Sequence, residues 1–312
     1  MKFKVAKSVL GCLLAVAACG AANAKEGGDQ YPNGAENWMA GALPPPGSYF
    51  VDYAGYYGGK LRNGDGDKVK GAKVDAWFNA FRYVHVTETK LLGGDYAWHV
   101  IVPVVHQKLS LGGPSQTVTG LGDITINPFI LGWHSKNLHT VIGLDILLPT
   151  GRYDSHDARR SIGANYLSFE PVFAATYLSD TGIELSGKFM YNIKTKNKSY
   201  RPPVAGAPKM DYRSGDEFHM DFLVAKRMGD WGVGLAGYYL QQTTADKVDG
   251  KTIAAEPGLW SKGRKGRVLA FGPTVSYTTK TGMSFSAQWH HETLVKNRFG
   301  GDKFMLKFAM PL

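Results

Sequence analysis

Hydrophobic and polar residues alternate along most of the chain after residue 47, a pattern typical of β-strands whose two faces meet different surroundings. The stretch Gly120–Asp154 shows it most clearly, as two strands joined by the turn His134-Ser135-Lys136-Asn137. Successive side chains of a strand point to opposite faces. One face of the second strand is therefore almost wholly apolar, with Leu138, Thr140, Ile142, Leu144, Ile146 and Leu148, while the other carries Asp145.

The alternation and the turn residues predict twelve strands. Their predicted bounds are Ser48–Tyr57, Lys73–Glu88, Tyr96–Leu109, Gly122–Trp133, Leu138–Leu148, Asn165–Leu178, Ile183–Ile193, Asp216–Met228, Trp231–Gln242, Gly266–Thr278, Met283–Val295 and Lys303–Met310. Long and short connections alternate, as they do in outer-membrane barrels, where the periplasmic turns are short. We therefore expect an all-β, transmembrane, antiparallel up-and-down β-barrel of about 12 strands, with both termini periplasmic and long extracellular loops.

The aromatic residues near the strand ends form two groups, which supports a membrane barrel. Trp98, Trp133, Tyr177, Trp231 and Tyr277 lie near short turns, whereas Tyr56, Tyr57, Tyr153, Tyr166, Tyr191, Tyr238 and Tyr239 lie near long loops. Two such belts are typical of the two interfaces of a bilayer. Mean hydropathy is −0.21 and no apolar run after the N-terminus is long enough for a membrane helix, so a helical membrane protein is excluded.

The first 24 residues are predicted to be a signal peptide (1–24) for export. They contain a basic start, a short apolar core and an Ala22-Asn23-Ala24 cleavage site. A lipidation site at Cys19 is an alternative. Residues 25–47 are predicted to be an irregular segment, either a plug inside the barrel or a periplasmic lead-in, and residues 48–312 the barrel. Both cysteines lie before residue 25, so cleavage after Ala24 leaves a chain without disulfides.

The distribution of charged residues limits the kinds of partner that the chain is expected to bind. The formal net charge is +10, but lysine and arginine are spread through the polar connections, and no basic helix or stacking module is present. We therefore expect no nucleic-acid partner. The expected partners are outer-membrane lipid and the barrel-assembly machinery, for which Phe308 would replace the usual C-terminal aromatic residue. The basic residues either lie in solvated loops or contact anionic lipid headgroups.

Several segments resemble one known family. They are GLGDITINPFILGWH (120–134), GLDILLPTGRYD (143–154), SGDEFHMDF (214–222), GVGLAGYYLQQ (232–242) and PPPG (44–47). The chain resembles outer-membrane proteins associated with the meta-pathway of phenol degradation, and the resemblance spans nearly all residues after the signal. It implies a barrel in the cell outer membrane of a Gram-negative bacterium that transports small hydrophobic, especially aromatic, compounds.

Strand parity places a set of ionisable residues on the inward face. They are Asp145, Glu170, Glu184, Lys188, Glu217, His219, Asp221, His290, Glu292, Lys303 and Lys307. In a barrel between the filled eight-stranded and the open sixteen-stranded sizes, each inward side chain matters individually. Two interpretations remain open: a paired network that braces the wall, or a constriction that selects permeants.

A few residues could in principle serve a function other than transport. His219 and Asp221 offer two inward ligands, too few for a metal site, and no cofactor is expected. A lipid-modifying hydrolase needs Ser, His and an acid within hydrogen-bonding reach near the external rim. The candidates Ser286 with His290, Ser155 with His156, and His134 with Ser135 do not suit that position, so no catalytic residue is assigned. A structural or adhesive barrel remains a further alternative.

Overall fold

The computed structural model describes residues 29–202, 206–253 and 264–312, so the predicted signal sequence and its two cleavage alternatives lie outside the described residues. The strands in these residues are β1 (Gly47–Arg62), β2 (Lys68–Leu91), β3 (Gly94–Leu111), β4 (Gln116–Leu121), β5 (Thr125–His134), β6 (Leu138–Leu147), β7 (Ser168–Leu178), β8 (Ile183–Lys194), β9 (Asn197–Tyr200), β10 (Met210–Arg213), β11 (Glu217–Met228), β12 (Trp231–Gln242), β13 (Lys247–Val248), β14 (Lys251–Thr252), β15 (Arg267–Thr278), β16 (Ser284–Lys296) and β17 (Arg298–Pro311). A 3-10 turn spans Ala158–Arg160. Within the described ranges, no helix is long and apolar enough to cross a membrane.

Twelve of these strands form one closed antiparallel barrel, which confirms the predicted fold class. Neighbours around the ring are β1, β2, β3, β5, β6, β7, β8, β11, β12, β15, β16 and β17, and β1 closes it by pairing with β17. Strand β4 continues the line of β5, because β4 pairs with residues 104–109 of β3 and β5 with residues 95–101. Together they occupy one position in the wall, interrupted at residues 122–124.

Side-chain exposure follows strand parity with the sense expected in a membrane. In β8, Ile183, Leu185 and Phe189 are exposed, whereas Glu184 and Lys188 on the opposite face are buried. A water-soluble sandwich would hide the apolar face instead. A closed sheet also leaves no unpaired backbone edge. Strands surrounded by lipid need this closure, because lipid tails cannot hydrogen-bond to free N–H and C=O groups.

The connections after β2, β5, β7, β11 and β15 are tight turns, and we call this side of the barrel the turn end and the opposite side the loop end. The turn before β8 shows how glycine makes such a connection. Gly182 has φ +85, and a Cβ there would lie 2.6 Å from the carbonyl oxygen of Arg227. Another residue would therefore meet both backbone strain and a clash at this position.

The loop end differs in detail from the predicted bounds. Strands β1, β2, β3, β16 and β17 run further than predicted, so three loop-end connections are short: residues 63–67, residues 112–115 and Asn297 alone. Two segments predicted as loops contain β9, β10, β13 and β14, which form a separate four-stranded sheet. Residues 148–167 form a long connection that packs back onto the wall through Arg152 N–H, which donates to the Leu121 carbonyl.

Candidate functional site

The interior of the barrel contains residues 29–46, which we call the lumen segment. It is irregular and its polar groups bond to inward side chains on strands all around the ring. The Trp38 indole N–H donates to Thr274 on β15 at 2.9 Å, and the Gly41 N–H donates to Thr176 on β7 at 3.0 Å. An irregular segment has many backbone groups that need partners, and the polar lumen supplies them.

Asp221 on β11 is the most heavily used of these inward acceptors. Its carboxylate accepts from the Tyr31 hydroxyl at 2.6 Å, the Gly34 N–H at 2.7 Å and the Glu36 N–H at 3.1 Å. Asp221 is 1% exposed. A buried carboxylate needs several donors to offset its desolvation, and here three of them come from the lumen segment.

Glu36 is the ionic anchor of the lumen segment. Its two carboxylate oxygens lie 2.6 Å from Arg82 Nη1 on β2 and 2.9 Å from Lys307 Nζ on β17, and it also accepts from the Tyr53 hydroxyl. Burial alone would raise the pKa of Glu36, but the charges of Lys307 and Arg82 outweigh burial and hold that pKa well below its usual range. Glu36 therefore stays ionised and clamps the segment to both strands.

Other predicted inward residues also contact the lumen segment. Glu184 accepts from the Met39 N–H at 2.6 Å, and the Lys303 ammonium donates to the Asn33 carbonyl at 2.9 Å. The Lys188 ammonium lies 4.6 Å from the centre of the Tyr31 ring. His290 instead packs edge-on against Tyr238 on β12 of the wall, with 5.5 Å between ring centres.

The remaining predicted residues pair with the wall itself. Asp145 accepts from Asn127 at 2.8 Å and lies 3.1 Å from His99, and Glu170 lies 3.0 Å from His219. Further around the ring, Glu217 lies 2.7 Å from Lys194, and Glu292 accepts from the hydroxyls of Tyr238 at 2.6 Å and Tyr57 at 2.8 Å. All eleven predicted residues thus face the lumen. Some contact the lumen segment and others contact the wall, and His219 does both, because its ring centre lies 5.2 Å from that of Tyr31.

Sequence reasoning missed Glu36, Arg82 and His99. A signal existed for Arg82, because it shares its parity in β2 with Ala80 and Val84, opposite the outward Phe81 and Tyr83. His99 likewise shares its parity in β3 with the buried Ala97. No periodicity could have placed Glu36, which lies in an irregular segment.

The geometry gives the hydrolase candidates little support. Ser155 Oγ lies 3.4 Å from His156 Nδ1 in the exposed connection after β6, and Asp154 is 3.9 Å from that same nitrogen. Three consecutive residues of an exposed segment do not make the buried, oriented array that activates a serine. Neither ring nitrogen of His290 bonds to a described residue, so His290 has no link to Ser286.

A cavity of about 290 Å³ lies between the lumen segment and strands β1 to β3. Its apolar wall consists of Leu61, Val74, Ala76, Phe78, Ile101, Val105, Leu109 and Leu111, with Ile162 from the long connection after β6. Tyr31, Ala35 and Glu36 of the lumen segment form part of its floor. The cavity therefore combines an apolar wall on β1 to β3 with ionisable groups elsewhere in its lining.

A closed twelve-stranded barrel with an apolar outer face and ionisable groups inside defines an integral membrane β-barrel of the outer-membrane type. The family model described as "Putative MetA-pathway of phenol degradation" matches residues 58–308. The chain belongs to this family. A search of curated protein sequences found no match.

Solved structures show the same fold. The COG4313 outer membrane channel from Pseudomonas putida F1 superposes with a TM-score of 0.71 and 14% identity, over 87% of this chain and 97% of that chain. The translocator domain of the autotransporter NalP from Neisseria meningitidis gives 0.48 and 8%, over 87% and 91%. The Pseudomonas putida toluene transporter TodX gives 0.43 and 9%, over 93% and 96%. The first likeness establishes the fold of an outer-membrane channel, and the other two are too distant to carry an argument.

Proposed function

We propose that this chain is an outer-membrane channel for small, neutral hydrophobic molecules, aromatic compounds among them. The observation that carries the proposal is the apolar cavity of about 290 Å³ beside the lumen segment. A dry protein cavity of about 150 Å³ lined by aliphatic and aromatic residues is enough to bind benzene. The larger cavity therefore has room for a substituted aromatic ring. The family description, which refers to phenol degradation, agrees with such a permeant.

The charges around the cavity favour neutral permeants over aromatic acids. The lining residues include six carboxylates, on Asp29, Glu36, Asp123, Asp145, Glu170 and Glu292, and four cations, on Arg82, Lys188, Arg298 and Lys303. The formal balance is two negative charges (4 − 6), and two of the cations, Arg82 and Arg298, are paired with Glu36 and Asp29. An incoming carboxylate would thus lose its hydration and meet like charge, whereas an uncharged ring would not.

The route from the cavity leads through the wall, because the lumen segment occupies the direct path. Strand β5 is irregular beside the cavity: Ile126 pairs with Ile146, but Ile130 pairs with Gly143, which shifts the register by one residue. Pro128 has no N–H to offer its neighbour. The Asn127 side chain accepts instead from the N–H groups of Phe129 at 3.1 Å and Leu144 at 3.3 Å. A bulge held by a side chain is an opening point between β5 and β6.

Transport of this kind requires one orientation of the barrel in the membrane. The loop end lies outside the cell and β17 ends on the periplasmic side, as the tight turns at that end favour. Asp29 at the start of the lumen segment lies near the loop end instead, because it pairs with Arg298 at the start of β17. Molecules enter the apolar cavity from the loop end and leave sideways. No catalytic step is assigned to any residue.

Filling the cavity should block transport. Replacing Ala76 with tryptophan puts an indole into the apolar space, and we expect uptake of toluene or phenol into proteoliposomes to fall by about tenfold or more, since close-packed interiors leave no alternative room. Val102→Trp on β3 is the matched control, because Val102 points to the lipid on the neighbouring strand. Equal rates for the two variants would contradict transport through this cavity.

Clamping the irregular wall should also slow transport. Ile126 and Ile146 are cross-strand partners, so the pair Ile126→Cys and Ile146→Cys can form a disulfide beside the bulge. We expect the oxidised variant to lose flux and to regain it with a reductant. The control is the pair Val224→Cys and Leu235→Cys, which are partners in the regular β11–β12 ladder. If both oxidised variants transport at the wild-type rate, the permeant does not leave between β5 and β6.

A further inference from the structure

Asp52 and Asn79 form a polar pair on the outer surface of the barrel. Asp52 lies between Val51 and Tyr53 on β1, which are buried inside the wall, so its own side chain points outward. Asn79 precedes the buried Ala80 on β2 and points the same way. The Asn79 amide nitrogen lies 3.1 Å from each carboxylate oxygen of Asp52.

The pair lies at the depth of the apolar band. Toward the loop end, Tyr56 packs against Trp77 with 4.8 Å between ring centres. Toward the turn end, Tyr83 packs against Trp98 with 5.4 Å between ring centres. Such amphipathic rings mark the two interfaces of a bilayer. Asp52 and Asn79 lie between these two levels on the same strands, so lipid tails would surround them in an isolated barrel.

Asp52 has too few partners for that environment. A carboxylate offers about four acceptor sites. The Asn79 amide is its one side-chain donor among the described residues, none of which places a cation within ion-pairing distance. A charged group on the lipid face near the middle of the bilayer is destabilising, though less so for a carboxylate than for a cation. Polar groups at such positions usually meet another protein surface.

We propose that this face, defined by the outward residues of β1, β2 and β17 around Asp52, binds a second copy of the chain. In a two-fold interface the same patch meets itself. The Asn79 amide of each copy then donates to Asp52 of the other, so both carboxylates gain a donor and lose contact with lipid. Ala54 and Gly58 leave little side-chain bulk beside the pair on β1, which allows two walls to approach.

A cysteine on this face should report the contact. Because Cys12 and Cys19 both precede residue 25, single-cysteine variants of the mature protein are readily made. We expect Ala54→Cys to form a disulfide-linked dimer in native outer membranes, at about ten times the yield of the control or more, since only facing positions come within disulfide reach. The control is Ala175→Cys, which is lipid-facing on β7 across the barrel. Similar yields for both would overturn the proposal, because they would reflect random collision.

The second variant tests the polar pair itself. Asp52→Leu in the Ala54→Cys protein should reduce the dimer yield several-fold while the barrel still folds, as judged by its heat-modifiable migration in gels. The alternative, in which lipid alone covers this face, predicts an unchanged yield and a barrel that resists denaturation better than the parent. Either of these results would refute the interface.

Discussion

Removing residues 29–46 should turn a closed barrel into an open pore. We expect its ion conductance in planar bilayers to rise by about tenfold or more, because a twelve-stranded ring is wider than the eight-stranded barrels that side chains fill. Three of the hydrogen bonds to Asp221, and the ion pairs of Arg82 and Lys307, disappear together with the segment. Water and ions then replace them.

The control for this deletion removes an equal length elsewhere. Residues 196–213 include β9 and β10 of the separate loop-end sheet, outside the barrel ladder. That variant should keep the low conductance of the parent protein. If the two deletions conduct alike, the lumen segment is not what closes the barrel.

Replacing Glu36 with glutamine should loosen the same segment without removing it. The change leaves Arg82 and Lys307 without their carboxylate partner in a buried place, which typically costs about 3 to 5 kcal/mol. That loss corresponds to a population of released segments about a hundredfold larger or more. Single-channel recordings should show frequent openings that are rare in the parent, and a protease added from the turn end should cut within residues 29–46.

Glu88→Gln is the matched control for this substitution. Glu88 is an exposed glutamate near the β2–β3 turn, and among the described residues it makes no hydrogen bond or ion pair with the lumen segment. The frequency of channel openings in the Glu88→Gln protein should stay at the level of the parent protein. A Glu36→Gln protein as quiet and as protease-resistant as Glu88→Gln would show that the ion pairs do not hold the segment.

Much of the barrel follows from local pattern. The period of two in β8 and β11 places Glu184 and Asp221 inside, opposite Leu185 and Phe222, without any knowledge of neighbours. Strand ends were less predictable. Strand β2 continues to Lys68 and Leu91 because its partners β1 and β3 continue beside it, and pairing partners are not visible in one strand's own sequence.

The candidate site was only half predictable for the same reason. Parity identified the inward face, yet it could not say that Asp221 bonds to Tyr31, which is 190 positions away along the chain. The cavity beside β1 to β3 depends on which inward positions the lumen segment leaves uncovered. That is a property of the assembled volume, and no single strand encodes it.

By itself, the sequence determined the fold class, the number of membrane strands and the side of each strand that ionisable residues occupy, because strand parity and turn residues are local properties. Only the tertiary structure decided that residues 29–46 lie in the lumen, that Glu36 bridges Arg82 and Lys307, and where apolar space remains. Those features arise from contacts between distant parts of the chain. These contacts form only when the barrel has closed and the lumen segment and the inward side chains occupy its interior.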